Sequence, residues 1–176
     1  MIYIAYSSNM SKERMLARCP NAEFLTKGIV YHCTLQFHYY ADAIHAHDYE
    51  MPVVLWKIPD SETSALERAE GYPKHYDKQE LVVYPLPYLS EDEMVKLVGA
   101  DNISECDFYN NTGVIGTAFV MTDWKRTEWE KHSEQTPIEY AQHLITGYKE
   151  NNFIGWHLHD LWYALSRGEE NPESRS

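Results

Sequence analysis

Cysteine is scarce in this chain of 176 residues, where Cys19, Cys33 and Cys106 are the only three. An odd number with no CxxC pair offers no disulfide framework and no zinc-ribbon spacing, and it fits a reducing compartment. Positive charge is also short. The sum is 15 Lys+Arg against 27 Asp+Glu, a net −12 with histidine neutral. A duplex-DNA binder needs a cationic face to displace phosphate counterions, and an anionic-membrane ligand needs a basic patch, so neither partner is expected. No apolar run approaches the roughly 20 residues that cross a bilayer. The opening Met1-Ile2-Tyr3-Ile4-Ala5-Tyr6 has no charged region ahead of an apolar core, so no secretion signal is expected and a cytoplasmic location is. HExxH, GxSxG, Walker A and GxGxxG patterns are all missing, which removes the sequence support for zincin, α/β-hydrolase, P-loop and dinucleotide readings.

What the chain has is aromatic bulk. Fourteen Tyr, 5 Trp and 5 Phe within 44% hydrophobic residues are enough to bury a sizeable core. No repeat or linker divides it, so residues 1–166 read as one domain, with a polar tail at 167–176 expected to fray.

Short apolar stretches predict strands at 1–6, 28–38, 51–58, 78–84 and 114–121. The unbroken run Met51–Ile58 implies burial on both faces. Helices are expected from Ser11 to Cys19, with Ser11 as N-cap, and from Pro59 to Glu70, where Gly71 stops the helix in a left-handed conformation. Ser90-Glu91-Asp92-Glu93 is a capping-box pattern opening a short helix inside the excursion 85–112. Thr136-Pro137-Ile138-Glu139 predicts a further capped helix, and Trp156 to Leu165 a last one. Irregularly interspersed helices and strands make this an α+β chain.

Two fragments carry chemistry. Tyr6-Ser7-Ser8-Asn9-Met10 is a small-residue loop between a strand and a helix, where backbone N–H groups can converge on an oxyanion; an ordinary strand-to-helix turn has the same local pattern. Glu70-Gly71-Tyr72-Pro73, followed by Tyr76, puts a carboxylate at a helix C-terminus. That is the wrong end of the macrodipole and tends to raise its pKa, as suits a general base; a solvent-exposed carboxylate is the plainer alternative. The pairs His45/His47 and His157/His159 lack a third ligand at a familiar spacing and read as surface or partly packed histidines, so no metal is expected. The cysteines read as structural or incidental thiols.

In order and spacing, the Tyr6–Met10 loop, Val54-Leu55-Trp56, Glu70–Pro73, Tyr76, Ala118–Met121 and Pro137–Tyr140 resemble the γ-glutamylcyclotransferase superfamily, specifically its γ-glutamylamine cyclotransferase-like branch. The resemblance covers roughly residues 2–150. It implies a small mixed β-barrel flanked by helices, with an inserted helical segment near 85–112. It also implies intramolecular conversion of a γ-glutamyl amine or γ-glutamyl amino acid to 5-oxoproline and a free amine, without cofactor or metal. Glu70 would be the acid/base, and Tyr6, Ser7, Ser8, Asn9, Tyr76 and Tyr140 would bind substrate. The departures from the family pattern are Ser7 and Val53 where glycine is usual, and the excursion 85–112, which would roof the cavity or support a homodimer. A non-catalytic ligand-binding or interaction protein on the same scaffold therefore stands as the alternative, as does amide cleavage by an external nucleophile. The acidic composition should repel strongly anionic substrates.

Overall fold

The computed structural model describes residues 1–37, 39–106, 111–130, 136–153 and 155–167. Its strands are β1 (Ile2–Ala5), β2 (Glu23–Phe37), β3 (Ala41–Lys57), β4 (Tyr76–Leu86), β5 (Ile103–Cys106) and β6 (Asn111–Met121). Its helices are α1 (Lys12–Arg18), α2 (Asp60–Glu70), α3 (Glu91–Val98), α4 (Asp123–Glu130), α5 (Ile138–Glu150) and α6 (Trp156–Arg167). The strand order β1-β3-β2-β4-β6 closes on itself because β6 also pairs with β1, giving a five-stranded barrel with β5 hung outside on β6. The β1–β6 pairing is parallel, Tyr3 opposite Thr117, and every other pairing is antiparallel. The expected barrel flanked by helices is therefore the observed architecture.

β1 and the second half of β3 form the barrel's apolar heart. Met51 to Trp56 is buried without a break, as the run of apolar residues requires, and pairs with β1 from Ile2–Lys57 to Ala5–Val54. Val53, one of the departures, is fully buried opposite Gly28. β2 and β3 form one long hairpin; its outer half sets Cys33–Phe37, inside the strand expected over 28–38, against Ala41–His45, which lies ahead of the strand expected at 51–58. That half contains Asp42, His45 and Gln36, so it is held mainly by backbone pairing and lacks the apolar run that marks a buried strand.

α2 runs from Asp60 to Glu70 as predicted. Gly71 follows with φ 70° and ψ 28°, and its N–H and that of Tyr72 return to the carbonyls of Arg68 and Glu67. The helix turns a stripe of Glu62, Leu66 and Glu70, at i, i+4 and i+8, toward the molecule. Leu66 is wholly buried and contributes about 1.5–3 kcal/mol of apolar burial to docking the helix. Glu62 accepts from the Asn21 backbone N–H and side-chain amide at 2.7 to 3.2 Å.

Three capping expectations met different outcomes. Ser90 and Glu93 form the complete capping box. Ser11 occupies the N-cap of α1, but its hydroxyl caps nothing. α5 begins after Pro137 with no side-chain cap, so Thr136 and Glu139 do not form the expected box; the chain enters that helix through the fixed φ of Pro137. The excursion 85–112 is also only half helical: α3 and a 3-10 turn (Ala100–Asn102) are followed by β5. α4 has no counterpart among the helices expected from sequence. Of the expected tail, residues 168–176 lie outside the described residues.

Candidate functional site

Glu70 stands at the wall of a cavity of about 340 Å³ lined by Ser7, Ser8, Tyr40, Tyr76, Tyr140 and several cationic side chains. Its own side chain is 13% exposed, so the solvent-facing reading is overturned. Three donors converge on one of its oxygens. Asn9 Nδ2 gives a hydrogen bond to Oε1 at 2.7 Å, Arg18 an ion pair at 3.1 Å, and the Tyr3 hydroxyl a longer bond at 3.3 Å. Among the described residues no hydrogen bond reaches Oε2. Burial pushes the Glu70 carboxyl above its ordinary range, while Arg18, the bonds from Tyr3 and Asn9, and Arg14 pull it back only partway. The direction agrees with the sequence expectation, but its principal cause is loss of water rather than the helix terminus.

The first loop forms because β1 ends against the barrel and the chain turns through a 3-10 step at Ser8–Met10, with Met10 N–H returning to the Ser7 carbonyl at 2.9 Å. α5 presses this loop from behind. A Cβ on Gly147 would lie 2.6 Å from Met10 Cβ and 2.8 Å from the Ser11 nitrogen, so glycine is what allows the close approach. Asn151 Nδ2 adds a hydrogen bond to the Met10 carbonyl. Ser7 has φ −123°, open to any L residue, so its replacement of glycine imposes no backbone strain. It lines the cavity together with Tyr140.

Tyr76 and Tyr140 grip the two faces of a single peptide position. The Tyr76 hydroxyl donates to the Ala41 carbonyl, and the Tyr140 hydroxyl accepts from the Ala41 N–H, each at 3.0 Å. Burial raises both phenols, Tyr140 to about 12, so both are neutral walls at physiological pH. Tyr40 packs edge-on against Tyr140 and Trp129, extending an aromatic side to the cavity.

Five of the seven predicted residues thus come together on the cavity: Ser7, Ser8, Glu70, Tyr76 and Tyr140. Tyr6 and Asn9 do not line it. The Tyr6 hydroxyl is turned into the barrel, donating to the Phe119 carbonyl, and Asn9 is fully buried behind Glu70, bridging it to Tyr3. Sequence reasoning missed Tyr3, Arg14, Arg18, Arg68, His75 and Lys125. Arg14 and Arg18 sit four apart on α1, so that one helix face carries both, a signal available in the sequence. Arg14, Arg18, Arg68 and Lys125 make the cavity locally basic in an acidic protein, so the expected repulsion of anions does not hold at this site. No described residue from 85–112 lines the cavity.

No family model and no curated protein sequence matches the chain. Solved structures do. A γ-glutamyl cyclotransferase matches 92% of this chain and 85% of its own at TM-score 0.67 and 19% identity. An uncharacterized protein from Homo sapiens matches over the same shares at 0.66 and 19%. A yeast γ-glutamyl cyclotransferase specific to glutathione matches 96% of both chains at 0.57 and 10%. The chain has the γ-glutamyl cyclotransferase fold.

Proposed function

We propose that this protein is a cyclotransferase that releases 5-oxoproline from a γ-glutamyl amine or γ-glutamyl amino acid. The observation that carries the reading is Glu70: a carboxyl desolvated at the wall of a cavity, with its donors from the described residues all on Oε1 and Oε2 left for a ligand. A raised carboxyl pKa matches a group that must both take and return a proton.

In this reading Oε2 accepts a proton from the substrate's α-ammonium, freeing the nitrogen lone pair. That nitrogen attacks the γ-carbonyl of the same molecule, forming the five-membered ring and a tetrahedral oxyanion. Backbone N–H groups at Ser7 and Ser8 hold the oxyanion. The Glu70 proton then passes to the departing nitrogen as its bond to carbon breaks, and the ring nitrogen gives its second proton, through the again ionised Glu70, to the released amine, which leaves as an ammonium ion beside 5-oxoproline. The nucleophile is tethered, so the protein has mainly to orient the substrate and move a proton. Tyr40, Tyr76 and Tyr140 enclose the chain of the substrate, and Arg14, Arg68 and Lys125 attract its carboxylates. Arg18 and Asn9 position Glu70.

Release of 5-oxoproline from a panel of γ-glutamyl amines and amino acids, by wild type and by Glu70→Gln, tests this. Turnover by the wild type and its loss in the variant is the expected result. Equal rates remove Glu70 from the mechanism. A linear glutamate product points to an external nucleophile, and tight binding of the panel without turnover to a binding protein.

A further inference from the structure

The pair His45/His47 reads in sequence as lacking a third ligand, and the fold supplies one from the other strand of the hairpin. His32 on β2 faces both: the ring centroids lie 4.9 Å apart for His32 and His47, 6.3 Å for His32 and His45, and 6.2 Å for His45 and His47. Imidazoles sharing one tetrahedral ion at about 2.0–2.1 Å from each nitrogen have centroids roughly 5 Å apart. The His32–His47 pair has that spacing, and the two pairs that include His45 are wider, at 6.3 and 6.2 Å.

The juxtaposition is not an accident of strand pairing. Cys33 and His45 are cross-strand partners, which puts them on one face of the hairpin, and His47 lies in the stretch 46–49 that pairs with no β2 residue, its ring centroid 6.2 Å from that of His45. In a regular strand His32, next to Cys33, would face the opposite way. The pairing breaks between Tyr31 and Cys33, and His32 takes φ 55°, which re-aims its ring toward those of His45 and His47. A histidine held in the left-handed region is uncommon, and such strain gathers at functional positions. His32 Nδ1 is buried and makes no hydrogen bond. His32, Cys33 and His45 also share the wall of a second cavity, about 480 Å³, between β2 and β4.

We propose that the β2–β3 hairpin is a binding site for a borderline transition-metal ion of the Zn²⁺ class, held by His32, His45 and His47 with the Cys33 thiolate as fourth donor. Three imidazoles and a thiolate suit zinc better than a hard cation such as Mg²⁺. As the side chains stand, the donor atoms do not meet at one point. His45 and His47 lie on the exposed rim, so binding draws them inward by side-chain rotation on a fixed backbone. The ion displaces the Cys33 thiol proton on binding.

The test is titration of the full chain, free of any affinity tag, with Zn²⁺ alone in a calorimeter, paired with Co²⁺ absorption. The expected result is one ion per chain, proton release, and a cobalt spectrum carrying a thiolate charge-transfer band that Cys33→Ala abolishes. His32→Ala and His47→Ala should each weaken Zn²⁺ binding by about tenfold or more. His47 is 81% exposed, so its variant cannot fail by unfolding, and His159→Ala, from the pair with no third histidine, should bind as wild type. Absence of stoichiometric binding, or His47→Ala binding as tightly as wild type, overturns the site. A cobalt complex without the thiolate band overturns the four-donor set.

Discussion

Asp42 and Glu70 are both carboxylates removed from water beside an arginine, and their oxygens are used in opposite ways. Asp42 is fully buried, and each oxygen has its own donor: the Met121 N–H at 3.0 Å on Oδ1, and Arg126 Nε at 2.6 Å on Oδ2. It ties β3 to the end of β6 and to α4. Glu70 has three donors crowded on Oε1, and its other oxygen has no bond among the described residues. A carboxylate satisfied on both sides is a fastener; one satisfied on a single side keeps a working face. Under the proposed function, that contrast separates structural from chemical burial, since an arginine is present in both.

The largest effect expected from disturbing that contrast is on turnover. Glu70→Gln keeps the shape of the side chain and should lower 5-oxoproline release by about 10²–10⁴-fold, the range of a lost general acid/base. Its effect on stability should have the opposite sign. A carboxyl whose folded pKa is raised contributes stability below its unfolded pKa, and that contribution is lost as pH rises through the folded value. Glu70→Gln should therefore gain on wild type in thermal melts as pH climbs from about 4.3 toward neutrality.

On the other side of the comparison, Arg126→Ala leaves Asp42 buried without its cation and should cost about 3–5 kcal/mol in denaturant unfolding. Wild-type-like unfolding would show that Asp42 is not a fastener. Next, Gly147→Ala drives a methyl into Met10 and Ser11, with an expected loss of about 1–3 kcal/mol in the same unfolding measurement and a raised KM for the γ-glutamyl substrate from the displaced loop. The subtlest effect belongs to Arg18→Met. Arg18 holds the Glu70 pKa down, so its removal should move the acid limb of the kcat/KM–pH profile to higher pH. A shift to lower pH would contradict the geometry.

The parts of the fold that were legible in the sequence are those where one local rule decides. Glycine after Glu70 must take positive φ, Ser90 and Glu93 cap their own helix, and Met51–Trp56 has no face that tolerates water. The outer part of β3 was not legible, because Asp42, His45 and Asp48 interrupt the apolar alternation there, whereas its partner Cys33–Phe37 lay inside an expected strand. α4 escaped notice because Asp123–Glu130 has few apolar residues; its signal was Thr122, whose hydroxyl accepts from the Lys125 N–H at 3.3 Å. At the site, the loop and the Glu-Gly turn were visible as fragments. The cationic wall was not, since α1, α2 and α4 each bring one or two cations to it from distant parts of the chain. Asn9, expected on the cavity wall, is buried behind Glu70 and hydrogen-bonds its carboxylate at 2.7 Å.

The barrel closes through β1 and β6, and β5 is not needed for that closure. The stretch from 87 to 106 is therefore an annex, attached along one border of a ring complete without it. Selection can lengthen, trim or exchange such an annex while the cavity beside Glu70 stays the same, which makes it the natural place for close cousins of this protein to differ.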